Sequence, residues 1–456
     1  MKKSILLVLV LFAASLYAQT SSEGVLKISL GDAVNMALQK NKDILISRQD
    51  LDKSEAQISE AYGNALPQVN LSANYSRNIE LPVLFLPAGV SFGAPKTDSP
   101  SGTAASEHPT ALKLGSNNSY TAGITLNQVL FSAKVNTAIQ IAKEYRNYTQ
   151  YNTDATRENV VDSVKRAYYS VLLLQQVLEV SRQGLDLAKA NYDNVSQLYK
   201  QGMASEFDYL RSGVQVSNTE PGVSKAENTL QLAKNGLKFL LGVDLKENIE
   251  LTGALELDEL PQGVIESESQ TAVEKNSMIQ ALASQENILE KNIQIQRSDY
   301  FPTLAAFGSY QYQTQDNTFQ FSNYNWAKNF TVGLQISYPI FNGLQTKYRT
   351  EQAVIDKEKL SITRSKLEEG IKIQVEAARL KMMEAKKRID AQQKSVEQAE
   401  RAVTIAEVRY KNGLGTQIEL IDSQVALTNT KINKAQAVYD YLTARADWEK
   451  ITSFGK

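Results

Sequence analysis

The sequence predicts a mostly α fold in tandem duplicate, in which long coiled-coil helical hairpins carry four β-strands. Three observations lead there: the chain matches itself at nearly constant offset, two proline-free tracts keep a heptad pattern, and alternating segments stand between them.

The self-match comes in pieces. At an offset of 235, Ala37-Leu38-Gln39-Lys40-Asn41 meets Ala272-Val273-Glu274-Lys275-Asn276, and Leu66-Pro67 meets Phe301-Pro302. At 210, Thr121, Gly123 and Phe131 meet Thr331, Gly333 and Phe341, and at 211 Tyr199-Lys200-Gln201-Gly202-Met203 meets Tyr410-Lys411-Asn412-Gly413-Leu414. The fall from 235 to 210 gives the first copy 25 extra residues between Tyr75 and Asn118, which predicts an external loop over 81–117. The copies are residues 19–242 and 266–456, with 243–265 as a linker.

Residues 1–18 read as a secretory signal: Lys2 and Lys3 precede an apolar run from Ile5 to Phe12, and small residues follow. Cleavage after Ala18 and cleavage near Ala13-Ala14-Ser15 both remain open. Each copy then begins with a helix and continues into a hairpin, over 68–131 and 303–341. Val69, Leu71, Ala73 and Tyr75 alternate with Gln68, Asn70, Ser72 and Asn74, as Tyr120 to Leu126 and Phe330 to Ile336 also do. Twelve aromatic residues fall between Tyr300 and Phe341, a placement suited to a girdle at a membrane interface. A soluble ribbon packed on helices is the alternative.

Six of the ten prolines lie between Pro67 and Pro109, and none lies in 110–220 or 340–456, so long helices are allowed over 132–200 and 343–411. In the first, Val164, Ala167, Val171, Leu174, Leu178, Ser181, Leu185, Ala188, Tyr192, Val195 and Tyr199 alternate by 3 and 4; adding 211 reproduces the seam from Val375 to Tyr410. Gly202 and Gly413 then reverse the chain into return helices, where Ser205-x-x-Asp208 and Thr416-x-x-Glu419 read as capping boxes. The second return seam runs through Ile418, Ile421 and Val425 to Leu442. The first holds only to Val214, and Pro221-Gly222 predicts a kink or short break.

Composition closes off several functions. The formal charge is −1, which leaves no basic excess for nucleic acid. There is no Cys, and the single His, His108, sits in a Pro/Ser/Gly-rich loop, so thiol nucleophiles, Cys/His metal sites and most catalytic pairs are removed. No catalytic residue, cofactor or metal site is expected. Beyond residue 18 no stretch is apolar enough for a transmembrane helix. Four strands cannot close a barrel, and an open edge is not tolerated in lipid, so several chains must share one.

The order of elements, the Leu66-Pro67 and Phe301-Pro302 steps, and the Tyr-Lys-x-Gly turns with their Ser/Thr-x-x-Asp/Glu caps resemble the outer-membrane efflux protein family of TolC. The resemblance implies a homotrimer, with a 12-stranded barrel in outer-membrane lipid and an α-helical tunnel through the periplasm. It also implies a periplasmic adaptor at the helical tips and an inner-membrane transporter of the RND or ABC type. Gly202, Met203, Ala204, Gly413, Leu414 and Gly415 would then dock the adaptor, with Ser205, Asp208 and Thr416 as tip caps. Glu419 and Asp422, three apart on one helix face, would line a periplasmic gate; a solvated outer face is the other reading of the same pair. A periplasmic coiled-coil scaffold or adaptor that never enters lipid is the rival function.

Overall fold

The computed structural model of the chain describes residues 25–87 and 110–454; the signal segment, His108 and the middle of the first loop lie outside them. In chain order the elements are β1 (Leu26–Ile28), α1 (Leu30–Lys40), α2 (Lys42–Gly63), β2 (Gln68–Arg77), β3 (Val83–Leu86), β4 (Thr110–Lys113), β5 (Asn118–Phe131), α3 (Ala133–Lys200) and α4 (Glu206–Leu241). The second copy supplies β6 (Ile249–Leu251), α5 (Gln262–Lys275), α6 (Ser277–Ser298), β7 (Thr303–Asp316), β8 (Ala327–Ser337), α7 (Gln345–Lys411) and α8 (Gln417–Ile451). The chain forms two units, one of residues 54–146 with 286–359 and the other of the remaining segments.

The strand unit holds one antiparallel sheet in the order β2-β5-β7-β8, each copy giving one hairpin. β2 and β5 pair without a slip from Gln68↔Asn127 to Arg77↔Asn118, and a bulge between Val129 and Phe131 marks the junction of β5 with β7. The inserted segment is more than a loop. Its described ends form a second small hairpin, β3 with β4, in register from Val83↔Lys113 to Leu86↔Thr110. Val83-Leu84-Phe85-Leu86 is an unbroken apolar run with β-branched and aromatic members, which gives this stretch strand character.

In the helical unit the heptad seams are the buried faces. Val164, Val171, Leu178, Leu185 and Val195 are buried on α3, and Val375, Ala378, Met382, Ala385, Ile389, Val396 and Val403 on α7. One cluster joins α7 to α8 around Trp448, whose indole Nε1 donates to Ser269 Oγ at 3.1 Å. A second gathers β1, α1, β6 and the base of α4 around Tyr168. Tyr168 donates to the Ile28 carbonyl at 3.2 Å and accepts from Gly253 N–H at 3.2 Å, so one phenol ties the end of β1 to the segment after β6. Between these clusters Lys165 pairs with Glu449 at 2.5 Å and Arg166 with Asp447, joining α3 to α8.

The offset-235 match has a structural cause. Asn41 and Asn276 each end one helix and cap the next, their side-chain oxygens accepting from Asp43 N–H at 2.8 Å and Met278 N–H at 3.0 Å. Their amide nitrogens donate to Leu240 and Ile451 carbonyls, the last turns of the two return helices. One residue type thus performs three backbone tasks at once, which holds it in both copies.

Three further expectations change, all on the return helices. Pro221 neither breaks nor interrupts α4, which runs unbroken from Glu206 to Leu241. The carbonyl that loses its donor belongs to Ser217, and both Ser217 and Pro221 are exposed, so the stretch is open to water. Val214, placed in the seam by its spacing, is 58% exposed while Ser212 is fully buried. On α8, Ile418 and Val425 are partly exposed and Gln417 and Leu420 are buried instead, because the first turns of a return helix follow the tip's geometry before they join the seam.

Candidate functional site

Two surfaces carry the functional reading: a sheet in one unit and a pair of tip turns in the other. Pairing aligns Leu71, Ile124, Tyr310 and Phe330 in one row across the sheet, and Val69, Leu126, Gly308 and Val332 in the next. The opposite face holds Ser72, Gly123, Gln311 and Asn329, then Asn70, Thr125, Ser309 and Thr331. One face is therefore apolar and the other polar, and the apolar one stands open, with Leu71 79% and Phe330 69% exposed. Both edges are open as well, since β2 and β8 each pair on one side only. Where β2 ends and β5 begins, Tyr75 stacks on Tyr120 at 4.8 Å and Phe321 and Tyr324 close around it, a tight aromatic group at the rim.

No helix among the described residues is long and apolar enough to cross a membrane. The open apolar sheet face is the surface that asks for lipid.

The tip turns are built alike. Gly202 has φ +75° and Gly413 φ +69°, the left-handed conformation in which a β-carbon is costly. Met203 N–H donates to the Leu198 carbonyl at 2.8 Å and Gly202 N–H to Tyr199 at 2.9 Å; Leu414 to Arg409 at 2.8 Å and Gly413 to Tyr410 at 3.0 Å repeat the pattern. This is the Schellman closure of a helix C-terminus, drawn twice. Met203 and Leu414 are exposed beyond it. At Gly415 a β-carbon would be tight, 3.0 Å from Arg409 Cβ and 3.3 Å from Glu419 Oε2. Ala204 stands at the corresponding place in the first tip.

The caps are only half of the boxes their spacing predicts. Ser205 Oγ accepts from Asp208 N–H at 3.1 Å, and Thr416 Oγ1 from Glu419 N–H at 3.2 Å, but neither acid returns to the backbone of its cap. Asp208 instead accepts from the Ser205 hydroxyl at 2.6 Å, and Glu419 lies 3.7 Å from Arg409. A complete capping box does exist at Ser29 and Asp32, where the Ser-x-x-Asp spacing before an apolar run was readable. There the hydrogen bonds from Ser29 hold the Asp32 carboxyl below its usual range.

Glu419 and Asp422 both stand on the exposed side of α8, with Gln417, Leu420 and Ile421 on the buried side. Asp422 makes no ion pair among the described residues, and neither does Arg211, its counterpart in the first copy. Spacing did not reveal the tyrosine stack of the first tip. Tyr209 lies 5.1 Å from Tyr199 at an interplanar angle of 7° and 5.5 Å from Tyr192, and the hydroxyls of Tyr192 and Tyr209 are 3.0 Å apart. That hydrogen bond raises the Tyr192 phenol above its ordinary value. Burial, then the charge of Asp208, raises Tyr410. Tyr192 and Tyr199 sit in the α3 seam, and a third tyrosine just past the turn was the available signal.

A sheet with one open apolar face, one polar face and two open edges, joined in sequence to paired helical hairpins, is the pattern of an outer-membrane channel protein. The chain belongs to the outer membrane efflux protein family, whose model matches residues 33–243 and 269–452. It is 22% identical to the outer membrane protein TolC of Vibrio cholerae over 429 residues, 93% of this chain and 90% of that protein. It is 21% identical to the alkaline protease secretion protein AprF of Pseudomonas aeruginosa, over 72% of this chain and 68% of that one. The CmeC outer membrane channel of Campylobacter jejuni shares the fold with a TM-score of 0.73 at 16% identity, covering 93% of this chain and 85% of that one. The protein is accordingly an outer-membrane channel component of Gram-negative export machinery.

Proposed function

We propose that three copies of this chain form a passive exit duct, a shared 12-stranded barrel continued by a helical tunnel. The observation that carries this reading is the pair of open edges. β2 and β8 are antiparallel partners waiting for strands, and joining β8 of one copy to β2 of the next satisfies both without leaving an edge in lipid. Three sheets of four strands reach the size at which transmembrane barrels close. Residues 19–242 and 266–456 are the two repeats of each copy, and 243–265 joins them.

The tips Gly202-Met203-Ala204 and Gly413-Leu414-Gly415 dock a periplasmic adaptor bound to an inner-membrane RND or ABC transporter, which supplies the energy. No chemical step and no cofactor is assigned to the chain. Glu419 and Asp422, recurring three times around the axis, form an acidic gate that favours cations. Cargo is selected by width and wall charge. The test is the mass of the purified protein in detergent: a trimer resistant to carbonate extraction from membranes is expected. A monomer, or a protein that carbonate releases as it would a scaffold, overturns the reading.

A further inference from the structure

Two rows of charge on the long helices make no ion pair among the described residues. On α3, Glu179, Asp186 and Asp193 follow one another at seven-residue spacing, each one position past a seam residue. On α7, Lys387, Lys394 and Arg401 do the same, each two positions past a seam residue. All six are exposed, and none makes an ion pair among the described residues; Glu179 accepts only from Gln183, at 3.4 Å. Their neighbours do pair: Arg182 with Glu227, Lys189 with Glu220 and Arg388 with Asp440.

The rows face away from their own chain. The α7 cations stand opposite the seam that packs on α8. The α3 acids lie on the flank away from Gly184, the residue at which α3 meets Thr428 of α8. The levels agree as well. The acids stand 9, 16 and 23 residues before Gly202, and the cations 12, 19 and 26 before Gly413. Both helices run toward their tip turns, so the rows are parallel, spaced about 10.5 Å and staggered by about 4.5 Å, which a Lys or Arg stem spans.

Duplication makes the contrast sharper for the cations. Their first-copy counterparts are Gln176, Gln183 and Ala190, whereas the first two acids keep acidic counterparts, Asp390 and Glu397, and only the third meets an uncharged one, Thr404. Each chain thus carries one complete row of each sign, on different repeats. A closed ring is built on a heterologous contact between two different surfaces of the same chain, and a row of acids against a row of cations is such a pair. Acid row on acid row or cation row on cation row would repel.

We propose that neighbouring copies are held in register by Glu179, Asp186 and Asp193 of one α3 against Lys387, Lys394 and Arg401 of the next copy's α7. The inference rests on the trimeric reading above. Exposed ion pairs contribute little each, so their work is choosing the partner surface and its level, and it weakens with salt.

The chain has no Cys, so introduced ones report alone. The Asp186→Cys, Lys394→Cys double variant, treated in detergent with a short bis-maleimide, should give covalent dimers and trimers on a denaturing gel, and each single variant only monomer. A trimer of correct native mass with no cross-linked species overturns the pairing and leaves the trimer standing; a monomeric native mass overturns the trimer and the pairing with it. Reversing Lys387, Lys394 and Arg401 to Glu should weaken association at least tenfold at low salt, and reversing Glu179, Asp186 and Asp193 to Lys in the same chain should restore it. Failure to restore association in a chain whose helicity is intact also overturns the pairing.

Discussion

At the first tip three tyrosines, Tyr192, Tyr199 and Tyr209, stack across the turn between α3 and α4. At the second, the same positions hold Val403, Tyr410 and Leu420, and an exposed pair between Arg409 and Glu419 at 3.7 Å takes the place of the stack. Both turns close with the same two backbone hydrogen bonds. The backbone of a helix reversal has one good solution, so duplication keeps it, while the side chains that brace it are free to diverge. The first tip is braced by ring stacking, which salt does not touch; the second by a screened ion pair. The charges differ too: Arg211 where the second tip has Asp422.

That contrast can be broken or sharpened by mutation. The largest effect is expected from charge: replacing both Asp422 and Glu419 with Ala should weaken block of single-channel current by a trivalent cation at least about tenfold. Replacing Arg211 with Ala should leave the block nearly unchanged. Equal effects at the two tips would show that the second does not define the gate.

Next, Tyr209→Leu, which copies the second tip into the first, removes two aromatic contacts and a hydroxyl pair. It should destabilise the first tip by about 1 to 3 kcal/mol, read as faster amide exchange in residues 199–212. No change there would mean that the stack is ornamental to the turn. Gly202→Ala and Gly413→Ala should each cost about 1 to 2 kcal/mol, and the same at both tips, because both residues need positive φ. Unequal costs in the same exchange measurement would break the claim of a common backbone. Least of all, Glu419→Gln should change stability by under about 0.5 kcal/mol and remove its salt dependence at the second tip.

The long helices were legible because a seam such as Val164 to Tyr199 is a local pattern repeated many times, and so were the strands, whose alternation from Gln68 to Tyr75 is complete on both faces. The tip glycines were legible because few other residues tolerate their backbone. Features set by neighbours distant in sequence were not. Val214 has the right spacing for the seam, yet it faces outward because Ser212 takes the buried place beside α3. Pro221 carries a strong local signal for a break, and what offsets it is the exposure of Ser217 and Pro221, which spacing does not report. The capping acids at 208 and 419 had two competing partners each, and the choice fell to a hydroxyl and to a guanidinium across the turn.

The two open strand edges also bear on inheritance. If each barrel has three seams and every seam joins two different chains, a chain with one spoiled edge damages any barrel it enters. A proline in the middle of β8, expressed beside an equal amount of intact protein, would leave only about one assembly in eight free of the defect. Such an allele should behave as dominant although the damaged chain folds its helices normally, whereas a null allele should be recessive.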